Sequence, residues 1–268
     1  MITCTRDKAA LARFFARDPA LYAYQLGDLD PFLFDNTTWW GISRGEGENS
    51  LEFSAIVLKY SAFEMPVILA LTDNVEQGVL WRSLLPKLPE RAHIHYRASH
   101  QTVIEEKYDL ASLGTHFKMR WRADRVHPGM RNLDSSDVET LDTGHEEDIR
   151  ALHAESYPES YFDGRLLETG TCVGIWRSGK LVSFAACHVH SLEYGVAALG
   201  AITTHPDHRG RGLGAAVTLA LVNKLNTEIA CICLNVSAAN SGAIRLYEKL
   251  GFVREREYEE AMIQARVR

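Results

Sequence analysis

AITTHPDHRGRGLGAAVTLAL, residues Ala201 to Leu221, reads as a strand that runs through a proline turn into a glycine loop and out along a helix. Upstream, Val196 to Ile202 is short, apolar and uncharged, as a buried strand should be, and Leu213 to Leu225 is long and apolar enough for a packed helix. Between them stand Pro206, Gly210, Gly212 and Gly214. Glycines allow the backbone to approach a ligand closely, and the first amides of a helix have no intrahelical acceptor. The loop therefore offers a row of N–H donors and a partial positive charge, to which Arg209 and Arg211 add fixed charge. A diphosphate satisfies such a site.

Spacing separates three kinds of phosphate loop. A Walker loop ends in Gly-Lys-Ser/Thr, and Gly212-Leu213 does not. Gly210, Gly212 and Ala215 meet the Gly/Ala form of the dinucleotide fingerprint, but its glycines should follow the strand directly and an acid should close the next strand. Here Thr-His-Pro-Asp-His-Arg intervenes, and Ile229 to Val236 contains no acid. The run Arg209-Gly210-Arg211-Gly212-Leu213-Gly214, read as R-x-x-G-x-G after x-x-His-Pro, resembles the acyl-CoA pyrophosphate loop of the GNAT superfamily of N-acetyltransferases. One strand later, Asn240-Ser-Gly-Ala243-Ile244-Arg-Leu246-Tyr247-Glu-Lys-Leu250-Gly251-Phe252 resembles that family's second cofactor segment.

The resemblance implies an N-acetyltransferase that uses acetyl-CoA and acts by direct attack of an amine on the thioester. It assigns the cofactor to Arg209, Gly210, Arg211, Gly212, Leu213, Gly214 and Ala215. The backbone near Ile202, Thr203 and Thr204 is assigned to the pantetheine arm and the thioester carbonyl, because that strand splays from its neighbour in the family. Asn240 touches the cofactor in similar enzymes, although its place before a helix also suits a plain cap. Tyr247 falls near the sulfur and is the expected proton donor to the leaving thiolate, while Ala243, Leu246, Tyr247 and Leu250 share one helical face and suit packing as well. Two alternatives remain within acyl-CoA chemistry: an enzyme similar to glycine N-acyltransferases that uses a longer acyl group, and a non-catalytic acyl-CoA sensor. A nicotinamide-dependent oxidoreductase is a weaker third.

An alkyl amine is mostly protonated at neutral pH, so a base is required. His188 ranks first because histidine titrates in the useful range, with His190, Glu193, Glu155 and a water chain behind it. The acceptor, a small-molecule or protein amine, is expected beside Glu155 to Asp163, whose three acids and three aromatics suit a cation. His188-x-His190 and His93-x-His95 each place two imidazoles on one side of a strand, but no third ligand follows nearby, and no metal is expected.

The rest of the chain sets bounds. Its 268 residues, 46% hydrophobic and 24% charged, suit one large domain or two of ordinary size. A net charge of −6 gives no reason to expect nucleic acid. No apolar run reaches a membrane span, no signal-peptide core opens the chain, and five unpaired-looking cysteines suit a reducing, cytoplasmic setting. Residues 3–26 read as helix, 37–43, 51–60 and 65–72 as strands, 75–85 as helix, 91–97 as strand, 101–108 as short helix and 115–122 as strand. Helices at 144–156 and 161–169, strands at 171–177, 181–190 and 196–204, then 213–225, 229–236, 241–250 and 252–266 repeat nearly that order. The fold class is accordingly α/β (α+β): two tandem GNAT-like domains, each a mostly antiparallel mixed sheet flanked by helices. Residues 1–122 form a degenerate copy, 123–138 a polar linker and 139–268 the second copy. The first copy carries Leu71-Thr-Asp-Asn-Val-Glu-Gln-Gly78 in place of the glycine loop, so it is not expected to bind cofactor and serves as a lid for the acceptor or as a scaffold.

Overall fold

The computed structural model describes residues 1–44, 52–131, 133–158 and 162–266. Residues 45–51, which include the start of the strand expected at 51–60, and Glu159, Ser160 and Tyr161 of the expected acceptor segment lie outside the described residues. Chain contacts form two compact units: Met1–Lys118 with Ser237–Ala239 and Glu255–Arg268, and Met119–Val236 with Asn240–Arg254. This differs from the expected boundaries, because the end of the chain joins the first unit.

The first unit opens with β1 (Ile2–Thr5), α1 (Lys8–Phe15), α2 (Ala23–Gly27) and α3 (Pro31–Phe34). The single helix expected over 3–26 is thus corrected. Ile2-Thr-Cys-Thr pairs with the next strand, and Asp7 caps α1 by accepting from the Ala10 amide at 2.9 Å. There follow β2 (Thr37–Arg44), β3 (Glu52–Tyr60), β4 (Val67–Ala70), α4 (Val75–Leu84), β5 (Arg91–Tyr96), α5 (Gln101–Ile104) and β6 (Tyr108–Trp121), the last longer than expected. Strands β1 to β4 pair antiparallel in sequence order, and β4 and β5 pair in parallel. One face packs Val57, Ile68, Ala70 and Ile94 against Leu80, Trp81 and Leu84 of α4. Asn74 caps α4 by accepting from the Gln77 amide at 2.8 Å.

The second unit repeats this succession. It contains β7 (Glu139–Thr140), α6 (Glu146–Ser156), β8 (Cys172–Arg177), β9 (Lys180–Ser191), β10 (Val196–Thr204), α7 (Leu213–Leu225), β11 (Cys231–Ser237) and α8 (Ser241–Lys249). β7 to β10 pair antiparallel, and β10 and β11 pair in parallel. Each unit is therefore an antiparallel series ending in one parallel pair, with a helix crossing over after its fourth strand. The segment expected as a helix at 161–169 forms a 3-10 turn, Gly164–Thr169, whose Asp163 accepts from the Arg165 amide.

The last strand, β12 (Phe252–Ala265), leaves the second unit after Arg254 and pairs antiparallel with β5 from Glu259↔Tyr96 to Gln264↔Arg91. That register corrects the reading of His93 and His95: Glu260 stands opposite His95 and supplies a third donor within 4.8 Å. No described helix is long and apolar enough to cross a membrane.

Burial leaves one carboxylate out of balance. Asp28 is 6% exposed, and burial pushes its carboxyl up to about 8. The folded state therefore holds a proton that the unfolded state releases near pH 4, so this group's favourable contribution is complete below that pH and is lost as pH rises through about 8. At pH 7 the penalty approaches roughly 4 kcal/mol. Asp28→Asn is expected to melt about 4 °C or more above the wild type at pH 8 and to match it at pH 4, in a pH series of thermal melts.

Candidate active site

The strand before the glycine loop is irregular where chemistry was expected. β10 pairs with β11 only from Val196↔Cys231 to Leu199↔Leu234, although β10 continues to Thr204 and β11 to Ser237. From Gly200 onward the β11 side of β10 lacks a ladder partner in that strand. In the first unit the equivalent ladder runs to the last residues of both strands, Ala70↔Tyr96. On the β9 side the register slips between Gly200 and Thr203, and within this bulge Ala201 has φ 51°. A left-handed non-glycine residue costs about 1–2 kcal/mol and persists only where its surroundings hold it. Ala201 is 7% exposed within a core that includes Leu152 and Phe184, and its backbone lies close to the ring of His153. Such a bulge re-aims the residues that follow it, here Ile202 to Thr204.

The strand end is tied down beside the loop. Ser183 Oγ donates to the Thr203 carbonyl at 3.3 Å and lies 2.9 Å from Thr204 Oγ1. Thr203 Oγ1 is buried without a hydrogen-bond partner among the described residues. Gly210 and Gly212 have φ 75° and 79°, and a Cβ on either would meet open space, so conformation and not crowding calls for glycine there. Gly212 occupies the cap position of α7 without a side-chain cap, and the first intrahelical bond is Ala216 N–H to the Gly212 carbonyl at 3.0 Å. The amides of Leu213, Gly214 and Ala215 are left as the orphan donors expected of an anion cradle.

The two arginines divide their work. Arg209 Nε donates to the Thr204 carbonyl at 3.1 Å and its Nη2 to the Ser156 carbonyl at 3.2 Å, so it braces the loop. Arg211 is exposed and forms no ion pair among the described residues, which leaves its charge for a ligand. A cleft of about 600 Å³ opens nearby between α6 and the β8–β9 turn, lined in part by Asp148, Glu155, Lys180, His205 and His208. None of the residues expected to bind cofactor lines it, so it is not the expected slot.

Helix α8 adjoins the first turn of α7: a Cβ on Gly214 would lie 3.8 Å from Leu246 Cδ2 and 3.3 Å from Thr204 Oγ1. Asn240 is the α8 cap and accepts from the Ala243 amide at 3.0 Å, which uses its side-chain oxygen structurally. Tyr247 is 7% exposed with its ring 5.9 Å from that of Phe252. Burial, with Tyr157 nearby, pushes its phenol well above the ordinary value, so it stays protonated and can act only as a donor.

Among the base candidates, His188 is the half-buried extra residue of a second β9–β10 register slip, and its ring lies across Gly200, where any Cβ would overlap it. It therefore sits beside the irregular stretch of β10. Glu193 is exposed in the β9–β10 turn. Glu155 is engaged: His205 Nδ1 accepts from the Asp207 amide, so its Nε2–H is the donor to Glu155, at 2.9 Å. Asp163 is also committed, to Arg165 at 2.5 Å, and Phe162 packs on Phe184 and His153. The acceptor segment thus presents fewer available acids than its composition suggests. His153, which sequence reasoning passed over, is a buried histidine beside the Ala201 bulge, packed on Phe162 and Phe184. Its place among Ile149 and Leu152 on the apolar face of α6 was the available signal.

Known proteins are similar to this chain in the same region. The acetyltransferase (GNAT) family model matches residues 138–252. The [Ribosomal protein bS18]-alanine N-acetyltransferase of Escherichia coli K12 is 32% identical over 124 residues, which cover 46% of this chain and 81% of that enzyme. A mycothiol acetyltransferase of Thermobispora bispora is 39% identical over 83 residues, 29% of this chain but only 28% of that enzyme's length. A solved tandem GNAT protein from the clavulanic acid biosynthesis pathway superposes with a TM-score of 0.60 at 13% identity, covering 100% of this chain and 99% of its own, a likeness of fold.

Proposed function

The chain belongs to the GNAT acetyltransferase family, and from that premise we propose that it transfers an acetyl group from acetyl-CoA to the amine of a small molecule or protein by direct attack on the thioester. The observation that carries this reading is the coincidence, in the second unit alone, of an unpaired stretch of β10 with an uncapped, glycine-led helix N-terminus. The amides of Leu213 to Ala215, with Arg211, would hold the diphosphate, and Ile202 to Thr204 would align the pantetheine arm along the side of β10 that β11 leaves unpaired. Acetyl-CoA is the donor substrate and supplies an activated carbonyl and a thiol leaving group. A strand amide already fixed in the bulge can donate to the carbonyl oxygen without reorganising as charge builds there. Tyr247 O–H donates to the departing sulfur, and His188 accepts the amine proton through water.

In the first unit the Asn74 cap, Glu76 in the first turn of α4 and the closed β4–β5 ladder support a single donor site per chain. Calorimetry with acetyl-CoA is therefore expected to give one site per chain. Thiol release is expected with some members of an acceptor panel that spans small-molecule amines and peptides beginning with alanine. Absence of binding heat overturns the donor assignment; one-site binding without thiol release from any acceptor would leave the protein a sensor of acyl-CoA.

A further inference from the structure

Three histidines of the first unit turn toward one carboxylate. His93 Nε2 lies 3.1 Å from Glu260 Oε2, His95 Nε2 lies 3.5 Å from Glu260 Oε1, and His116 Nε2 lies 3.9 Å from Glu260 Oε2. The geometry points to a binding site for a divalent transition metal of the zinc class, formed by His93 and His95 on β5 and Glu260 on β12, whose ligand atoms lie within 4.8 Å of one another, with His116 on β6 beside Glu260 but outside that triad.

Three features favour a metal over a plain ion-pair network. The donor set, two imidazoles with one carboxylate, is one that zinc accepts, and its ligand atoms lie within 4.8 Å of one another, near enough to draw together onto a tetrahedral ion whose donors at 2.0–2.2 Å stand about 3.3–3.6 Å apart. His116 Nδ1–H donates to the Gly114 carbonyl at 3.0 Å, so in the neutral ring the Nε2 that faces Glu260 is the acceptor atom. At 3.9 Å that nitrogen is too far from the carboxylate for a hydrogen bond. The ligands are also oriented from outside: Tyr258 O–H donates to Glu260 Oε1 at 2.5 Å, as partners of metal-bound carboxylates do. Finally, the side chains are 10 to 27% exposed, a partly enclosed position in which a carboxylate and neutral imidazoles gain more from a cation than from water.

On metal binding His93 moves its proton from Nε2 to Nδ1, so it gains a ligand atom without a change of charge. The Lys118 ammonium on β6 is held by the rings of Tyr24 and Tyr258, at 4.9 Å from each. With three protein donors the site ties β5 to β12 and leaves the ion's fourth position to water.

Full-length protein stripped by chelator and titrated with Zn(II) is expected to bind one equivalent and to melt about 5 °C or more higher when saturated. Co(II) in place of Zn(II) is expected to give the visible absorption of a four-coordinate nitrogen and oxygen site. His93→Ala and Glu260→Gln each lose at least about 100-fold in affinity, Tyr258→Phe loses about tenfold, and His127→Ala, at an exposed histidine outside the cluster, is unchanged. Far-UV circular dichroism and a cooperative thermal melt of the metal-free protein report whether each variant is folded. Failure of the stripped protein to bind Zn(II), or binding undiminished in both His93→Ala and Glu260→Gln, overturns the site and leaves an ion-pair network around Glu260.

Discussion

Gly212→Val is expected to weaken binding of acetyl-CoA at least about thirtyfold while the second unit stays folded. At φ 79° a β-branched residue is strained by about 1–2 kcal/mol or more, and the chain relieves that strain by rotating toward negative φ. Rotation there swings the amides of Leu213, Gly214 and Ala215, the donors proposed for the diphosphate. Each hydrogen bond to a charged group is worth about 1.5–3 kcal/mol, so losing one on top of the strain accounts for the expected loss. Gly170→Ala is the matched control. Gly170 is also left-handed, with φ 66° and open space around a Cβ, but it ends the 3-10 turn at 164–169 and lies outside the loop. It should cost stability in a thermal melt and leave the calorimetric affinity alone. Equal affinities for Gly212→Val and wild type would remove the loop from the donor site.

Tyr247→Phe is expected to lower kcat about 100-fold with the KM for acetyl-CoA changed less than about twofold. The ring keeps its burial and its contact with Phe252, so stability should hold, and the loss isolates the hydroxyl. The environment that keeps this phenol protonated also makes complete proton transfer harder, so its contribution is a hydrogen bond that strengthens as charge develops on sulfur. For the same reason any alkaline decline in wild-type kcat below pH 9 belongs to another group and persists in the variant. Unchanged kcat would reduce Tyr247 to packing.

Helix α7 and strand β10 were legible residue for residue, since an uninterrupted apolar run between glycine and polar ends leaves little choice of boundary. β1 was not, because four residues of alternating threonine next to a stronger helical pattern carry too little periodicity to stand apart. β6 extends back to Tyr108 through Asp109, Ser112 and Gly114, whose polarity hides a strand from any reading based on burial. At the site, glycines and arginines announced the loop, but the open ladder of β10 and the turned backbone of Ala201 are properties of pairing and dihedral angle that side-chain order does not encode. His153 looked like an ordinary core residue, and Glu260 lies 167 residues from His93, so only strand register could join them.

The position of β12 has a consequence for biosynthesis. Residues 259 to 264 pair with β5 but follow the whole second unit in the chain, so they are made after it. Until then the nascent first half carries Arg91–Tyr96 as an open edge, able to template stray strands. Termination of synthesis before residue 259 should therefore harm the half of the polypeptide that was made first.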